Sequence, residues 1–314
     1  MKLALTLLAL VAVAAAKSID LQDVIDLEDI TAYGYLSKIG LPLANKIREA
    51  EAAAGVESRI VGGSFSSLGQ FPYQAGLLAQ FSGGQGVCGG SLISANRVLT
   101  AAHCWFDGVN QASSFTVVLG SITLFSGGTR LTTNAVEMHT SWSPSLIRND
   151  IAIIRLPSSV SFNNNISPIP LPSGSQLNEN FAGNTGVASG FGRTADGNHV
   201  SLPIITNAVC SQSFNIIQSS NICTSGANGR STCSGDSGGP LVVNRNGNNI
   251  LVRKSLISRM CDITILLGVS SFIISLLWST AGQAFPIKRH NCRSVHSWGF
   301  CHNRHAWEAG WRSQ

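Results

Sequence analysis

The sequence is poor in charge and lacks lysine over most of its length. Charged residues make up 12% of the 314 residues. Residues 60–253 contain no lysine, eight arginines and six acidic residues, whereas residues 254–314 carry seven basic and two acidic ones. The net charge of +5 is therefore partly a property of the C-terminal tail. Since residues 60–253 are nearly neutral, they offer no basic stripe for phosphates, and we expect no nucleic-acid partner.

Helical periodicity and bilayer-length apolar runs are also missing. Between residues 60 and 250 the apolar stretches are short, and clusters of Gly, Ser, Asn and Pro separate them; examples are 115–119, 151–156 and 241–243. This pattern is typical of strands and turns and predicts an all-β protein. The sixteen residues from Ile263 to Trp278 are mostly apolar but fall short of the ~20 needed to cross a bilayer. We expect a buried strand pair there, with a membrane anchor as the weaker alternative.

Three short motifs carry the chemistry. His103 lies in TAAHC (100–104), Asp150 in NDIA (149–152) and Ser237 in GDSGGP (235–240). A serine hydroxyl is a poor nucleophile at neutral pH, so Ser237 needs a base such as His103 to take its proton. Asp150 would hold the imidazole in the right tautomer and stabilise the imidazolium that forms. In this order the motifs resemble those of a chymotrypsin-like serine protease.

This resemblance implies a fold and a mechanism. The family has two six-stranded antiparallel Greek-key barrels, here expected over about 60–175 and 176–314, with a boundary near 165–185 where prolines interrupt the pattern. The backbone N–H groups of Gly235 and Ser237 would form the oxyanion hole. The implied protein is a monomeric endopeptidase that acts on proteins or peptides and needs no metal or cofactor.

The N-terminal region is expected to be removed in two steps. Residues 1–16 combine one lysine, an apolar run and three closing alanines (14–16), which is typical of a secretory signal. Residues 17–59 are similar to an activation peptide that ends at Arg59, before the sequence IVGG (60–63). Cleavage by a trypsin-like protease would free the amino group of Ile60. In the family this group pairs with the Asp before the catalytic Ser, here Asp236.

Cysteine usage also favours export. The resemblance implies disulfides Cys88–Cys104 and Cys210–Cys223, and leaves the partner of Cys233 open. The absence of lysine from residues 60–253 suggests a strongly alkaline environment, because arginine keeps its charge at a pH where lysine begins to lose it. The midgut lumen of a caterpillar is such an environment, and the sequence resembles the digestive chymotrypsins found there. Drift in a protein with few charges is the alternative.

Substrate preference is expected from the residues that match the specificity pocket. Ser231, six residues before Ser237, would form the pocket base. A neutral hydroxyl cannot compensate a buried cation, so large apolar or aromatic side chains would be preferred over Arg and Lys. Ser271 would support Asp150. Ile273 stands where the family has a wall glycine, and its side chain would narrow the entrance and favour small residues.

The resemblance weakens in two places. After about Asn249 the sequence departs from the family, and a retained intron followed by a frame shift would explain residues 250–314. Between Gly192 and Leu202 the chain is shorter than in relatives, so part of the first hairpin of barrel two is expected to be missing and its edge to be unpaired. The alternative function is therefore an inactive secreted homologue. The tail cysteines and histidines are not expected to bind metal, because their spacings fit no tetrahedral module well; they are His290, Cys292, His296, Cys301, His302 and His305.

Overall fold

The computed structural model describes residues 31–54, 66–194, 197–212, 217–226 and 236–252. All of them belong to one compact unit, Met1–Ile265. Two β-sheets dominate this part, which confirms the expected all-β class. The described ranges contain two α-helices: α1 (Leu41–Ala54), preceded by a π-helical turn at Leu36–Gly40, and the four-residue α2 (Asn207–Cys210). No helix in the described ranges is long and apolar enough to cross a membrane.

The first sheet contains seven strands in the order β5-β4-β1-β2-β3-β7-β6. They are β1 (Gln74–Phe81), β2 (Gly84–Ser94), β3 (Arg97–Thr100), β4 (Ser114–Leu119), β5 (Thr129–Thr133), β6 (Val136–Met138) and β7 (Ala152–Arg155). Within this order β4 returns to lie beside β1, which is the 4-1-2-3 arrangement of a Greek key. Each pairing is antiparallel.

The two edge strands of this sheet explain the difference between seven strands and the six expected. β5 and β6 lie at opposite edges, yet only Asn134 and Ala135 separate them along the chain. The edges of the sheet must therefore meet, which closes it into a barrel. With β5 and β6 taken as one interrupted strand, the first barrel has six strands. Its interior is filled by alternate apolar side chains, among them Leu77, Phe115 and Ile154.

The second sheet has five strands among the described residues, in the order β10-β9-β8-β11-β12. They are β8 (Thr185–Thr194), β9 (Gly197–Ile205), β10 (Cys223–Thr224), β11 (Leu241–Arg245) and β12 (Asn248–Leu251). This sheet has its own apolar core, which includes Phe181, Leu202, Ile204 and Leu241. The first sheet's last strand ends at Arg155 and the second sheet begins at Thr185.

The expected gap in the first hairpin of the second sheet is wrong. β8 and β9 pair from Thr185↔Pro203 to Thr194↔Gly197, with a bulge or irregularity on the way. β8 ends at Thr194 and β9 begins at Gly197, so both strands of this hairpin are present. β9 also pairs with β10 on its other side, and β9 therefore has no unpaired edge at Ile204 and Ile205.

The hairpin continues past Asn249, after which the sequence was expected to depart from the family. β12 pairs with β11 in the register Val242↔Leu251 and Val243↔Ile250. Ile250, Leu251 and Val252 are all buried, and the N–H of Leu251 donates to the carbonyl of Pro170 at 3.0 Å. The hairpin therefore continues as part of the core up to Val252, where the described residues end.

Candidate active site

Strand pairing brings the histidine and aspartate motifs to the same place. β3 runs antiparallel to β7, with Thr100 opposite Ala152. His103 lies three residues after the end of β3, in a helical turn at Ala102–Cys104. Asp150 lies two residues before β7 begins. Because β3 ends where the antiparallel β7 starts, both side chains lie at the same end of this strand pair.

His103 is held by Asp150 at its imidazole and at its backbone. Its Nδ1 lies 2.7 Å from Asp150 Oδ2, and its backbone N–H donates to Asp150 Oδ1 at 2.8 Å. His103 is 5% exposed and Asp150 3%. An ionised carboxylate can only accept, so Nδ1 carries the proton and Nε2 keeps its lone pair. Nε2 is buried and makes no hydrogen bond within the described ranges. This arrangement suits a general base.

Ser237 lies in a tight turn seated on the first sheet. The N–H of Gly89, in β2, donates to the carbonyl of Ser237 at 2.7 Å. Gly238 follows with φ +86°, and a Cβ there would overlap the carbonyl of Gly89 and the hydroxyl of Thr100. Only glycine fits both the left-handed backbone and this close approach. Ser237 itself is 2% exposed.

Two disulfides fix the surroundings. Cys88 in β2 is bonded to Cys104 beside His103, and Cys210 is bonded to Cys223 in the second half of the chain. These are the two pairs that the sequence analysis expected. The sulfurs of Cys88 and Cys104 lie near the His103 ring, but they are bonded to each other and hence are not thiolate ligands for a metal.

Asp236 connects the serine turn to β8. The N–H of Gly192 donates to Asp236 Oδ1 at 3.0 Å. A Cβ on Gly190 would overlap this carboxylate, so glycine at position 190 makes room for it. The carboxylate of Asp236 is thus positioned by the backbone of the second sheet, one residue before Ser237.

Comparison with known proteins decides the family. The family model described as Trypsin matches residues 60–275. The chain belongs to the trypsin family. It is 36% identical to a collagenase from Hypoderma lineatum, over 69% of this chain and 78% of the relative. It is 34% identical to a chymotrypsin from Phaedon cochleariae, over 77% of this chain and 85% of the relative.

A trypsin from Drosophila erecta is 38% identical over 60% of this chain and 74% of its own length. A solved structure of HL collagenase superposes with a TM-score of 0.54 at 30% identity, covering 72% of this chain and all of that one. The trypsin-family chain is therefore a serine endopeptidase with the chymotrypsin fold.

Several predicted site residues lie outside the described ranges. They are Arg59, Ile60, Ser231, Cys233, Gly235, Ser271 and Ile273, together with the tail histidines and cysteines. Their expected roles stay predictions. The described residues bring together His103, Asp150, Asp236 and the Ser237 turn.

The sequence analysis missed one aromatic neighbour of the site. The ring of Tyr35 packs edge-on against His103, with centroids 4.5 Å apart and planes at 65°. Tyr35 belongs to residues 17–59, which were interpreted from their terminal arginine and the IVGG sequence that follows it. Apolar residues at helical spacing, Leu43, Ala44 and Ile47, were the available signal that part of this segment packs on another surface.

Proposed function

We propose that the protein is a secreted, zymogen-activated endopeptidase in which His103, Asp150 and Ser237 form the catalytic triad. The buried His103–Asp150 pair carries this proposal, because it leaves Nε2 as the only acceptor of the imidazole. The protein would act as a monomer on proteins or peptides, and digestion in an alkaline gut lumen is the role we favour.

The proposed reaction proceeds in two halves. Ser237 Oγ attacks the scissile carbonyl while His103 Nε2 takes its proton, and the N–H groups of Gly235 and Ser237 stabilise the oxyanion. The imidazolium, stabilised by Asp150, then gives its proton to the leaving amine. Water attacks the acyl-enzyme with the same base, which releases the new carboxylate and restores the serine.

Activation is proposed to follow hydrolysis of the Arg59–Ile60 bond by a trypsin-like protease. The new α-ammonium of Ile60 would pair with Asp236. The position of Asp236 supports this step, because its carboxylate lies beside Ser237 and bonds the backbone of β8. A charge placed there would act directly on the serine turn.

Preference for large apolar or aromatic residues is proposed from Ser231. A neutral pocket base leaves a substrate Arg or Lys without a counter-charge, which disfavours such substrates by several kcal/mol. Ser271 would support the carboxylate of Asp150. Ile273 is assigned to the pocket wall, where its bulk would limit how deeply the largest side chains enter.

A panel of peptide amides tests the proposal. The chain is cut at Arg59, the activating protease is inhibited, and kcat/KM is measured for Phe, Leu, Ala and Arg substrates. We expect kcat/KM for the Phe or Leu substrate to exceed that for the Arg substrate by about 100-fold or more. S231D should reverse that order, whereas S219D, an exposed serine given the same charge, should not. Cleavage at Arg59 and removal of residues 17–59, without turnover of any substrate, would favour the inactive homologue.

A further inference from the structure

Residues 31–54 form an ordered interface with the first barrel. Tyr35 and Leu36 enter the main core of that barrel. Leu43, Ala44 and Ile47, on one face of α1, pack with Leu78, Val87, Val118 and Leu124 from β1, β2, β4 and the loop after β4. The opposite face of α1 carries the exposed Asn45, Lys46 and Glu49. The segment is thus an amphipathic ligand for a barrel surface.

Polar contacts fix this segment along its length. The N–H of Ala32 donates to the carbonyl of Pro144 at 3.0 Å, and the N–H of Leu36 donates to the buried carboxylate of Asp107 at 2.8 Å. Near the other end, the carboxylate of Glu51 accepts from the N–H groups of Leu124 and Phe125, at 2.5 and 2.9 Å. Charge-assisted bonds at both ends of the segment define its register on the barrel.

Arg48 adds a third kind of contact. Its guanidinium lies over the ring of Phe125, 4.5 Å from the centroid, and donates to Gln85 Oε1 at 2.9 Å. Cation–π contacts at exposed sites contribute about 0.5–1 kcal/mol. The main stabilisation therefore comes from the buried apolar side chains and the Asp107 and Glu51 bonds.

The contact with the active site is made by Tyr35. Its ring lies against His103, and its hydroxyl donates to the carbonyl of Val87 at 3.4 Å. With Tyr35 in place, His103 and Ser237 are both nearly inaccessible, at 5% and 2% exposure. A substrate carbonyl has to come within bonding distance of Ser237 Oγ and His103 Nε2 together. The form with residues 31–54 docked is closed to it.

Cutting the Arg59 bond does not by itself remove this segment. Residues 17–59 contain no cysteine, so only the non-covalent contacts above hold the segment afterwards. Before the cut, docking is intramolecular; after it, occupancy depends on concentration, as for any two-chain complex. We propose that residues 31–54 are an inhibitory segment that stays on the first barrel after cleavage at Arg59 and keeps Tyr35 on His103 until it dissociates. This inference rests on the proposed triad.

The time course of activation tests it. The full chain is cut at Arg59 under limited conditions, with the released segment shown to be intact by mass spectrometry, and is diluted into a Phe-peptide amide assay. Wild type should show a lag that lengthens at higher protein concentration. Synthetic peptide 31–54 should restore inhibition. The Y35A peptide should need a roughly 100-fold higher concentration for the same inhibition, since it lacks a large buried side chain.

Two control peptides separate the ring from other effects. The Y35F peptide keeps the ring and loses only the hydroxyl, so it should inhibit nearly as well as the natural sequence. The K46A peptide changes an exposed position on the far face of α1 and should inhibit equally. Using peptide variants on wild-type enzyme avoids variants of the full chain that fail to fold. Equal inhibition by the Y35A and natural peptides would overturn the role of Tyr35.

A second measurement does not depend on activity. In S237A protein cut at Arg59, the segment should co-elute with the 60–314 chain in gel filtration at micromolar concentration. Immediate separation there, or a wild-type time course without lag, would overturn the inference while leaving the triad intact. Co-elution together with no turnover, even after the segment has been stripped off and shown to be gone, would instead overturn the proposed function.

Discussion

At the scale of residues, two carboxylates have different tasks. Asp150 accepts both the Nδ1–H and the backbone N–H of His103, so it fixes the tautomer of the base. Asp236 bonds the N–H of Gly192 and lies next to the nucleophile in the chain. In the proposed mechanism the first carboxylate acts on proton transfer, and the second acts on the shape of the serine turn.

Replacing Gly190 by alanine tests the task of Asp236. The added Cβ would overlap the Asp236 carboxylate and displace it, which disturbs the neighbouring Ser237 turn. We expect kcat/KM to fall by about 100-fold or more, the order of magnitude lost with an oxyanion donor, while cleavage at Arg59 proceeds normally. S219A is the control, because it changes an exposed residue of the same half of the chain. Equal activity of both variants would contradict the assignment.

At the scale of elements, β12 continues the second sheet past Asn249. Its pairing with β11 and the burial of Ile250 and Leu251 make it a core strand of the second sheet. The family match extends to residue 275. The unusual sequence after Asn249 thus begins inside an intact hairpin.

The L251A variant tests this account of β12. Leu251 is 2% exposed and packs with Tyr73, Ile169 and Val242, so truncation should cost about 2–5 kcal/mol of unfolding free energy. N248A changes an exposed residue of the same strand and should cost less than about 0.5 kcal/mol. Denaturant unfolding of both proteins measures the difference. Similar stability would mean that β12 is not part of the core.

The sequence predicted the parts of this fold that depend on local motifs. The all-β class and Greek-key barrel follow from short apolar runs and from the resemblance carried by the motifs around His103, Asp150 and Ser237. It did not predict the docking of residues 31–54, because Tyr35 meets His103 only through tertiary packing. The β8–β9 pairing was also missed, since a short connection cannot be told from a missing strand until the strand register is known.

At the scale of the whole molecule, a buried tyrosine reduces stability at alkaline pH. Burial raises the pKa of Tyr73 to about 12. Below pH 10 the folded and unfolded states are both protonated there, and stability does not depend on this group. From pH 10 to 12 the unfolded chain loses the proton while the folded chain keeps it, so unfolding free energy falls, by on the order of 2 kcal/mol in total.

Y73F should remove this pH dependence. Its melting temperature is expected to fall less than that of the wild type between pH 10 and 12, in thermal scans at fixed ionic strength. Y33F, at a 38% exposed tyrosine, should follow the wild type. If Y73F and wild type lose stability in parallel, another group controls the alkaline limit.

Covalent labelling of Ser237 tests the central claim most directly. The chain is cut at Arg59, residues 31–54 are removed, and a fluorophosphonate is added; mass spectrometry then locates the adduct. An adduct on Ser237 in the wild type is predicted, because Oγ displaces fluoride only when His103 takes its proton. It should be absent in S237A and slowed by about 10³-fold or more in H103A. No adduct, or an adduct on another serine, would contradict the triad.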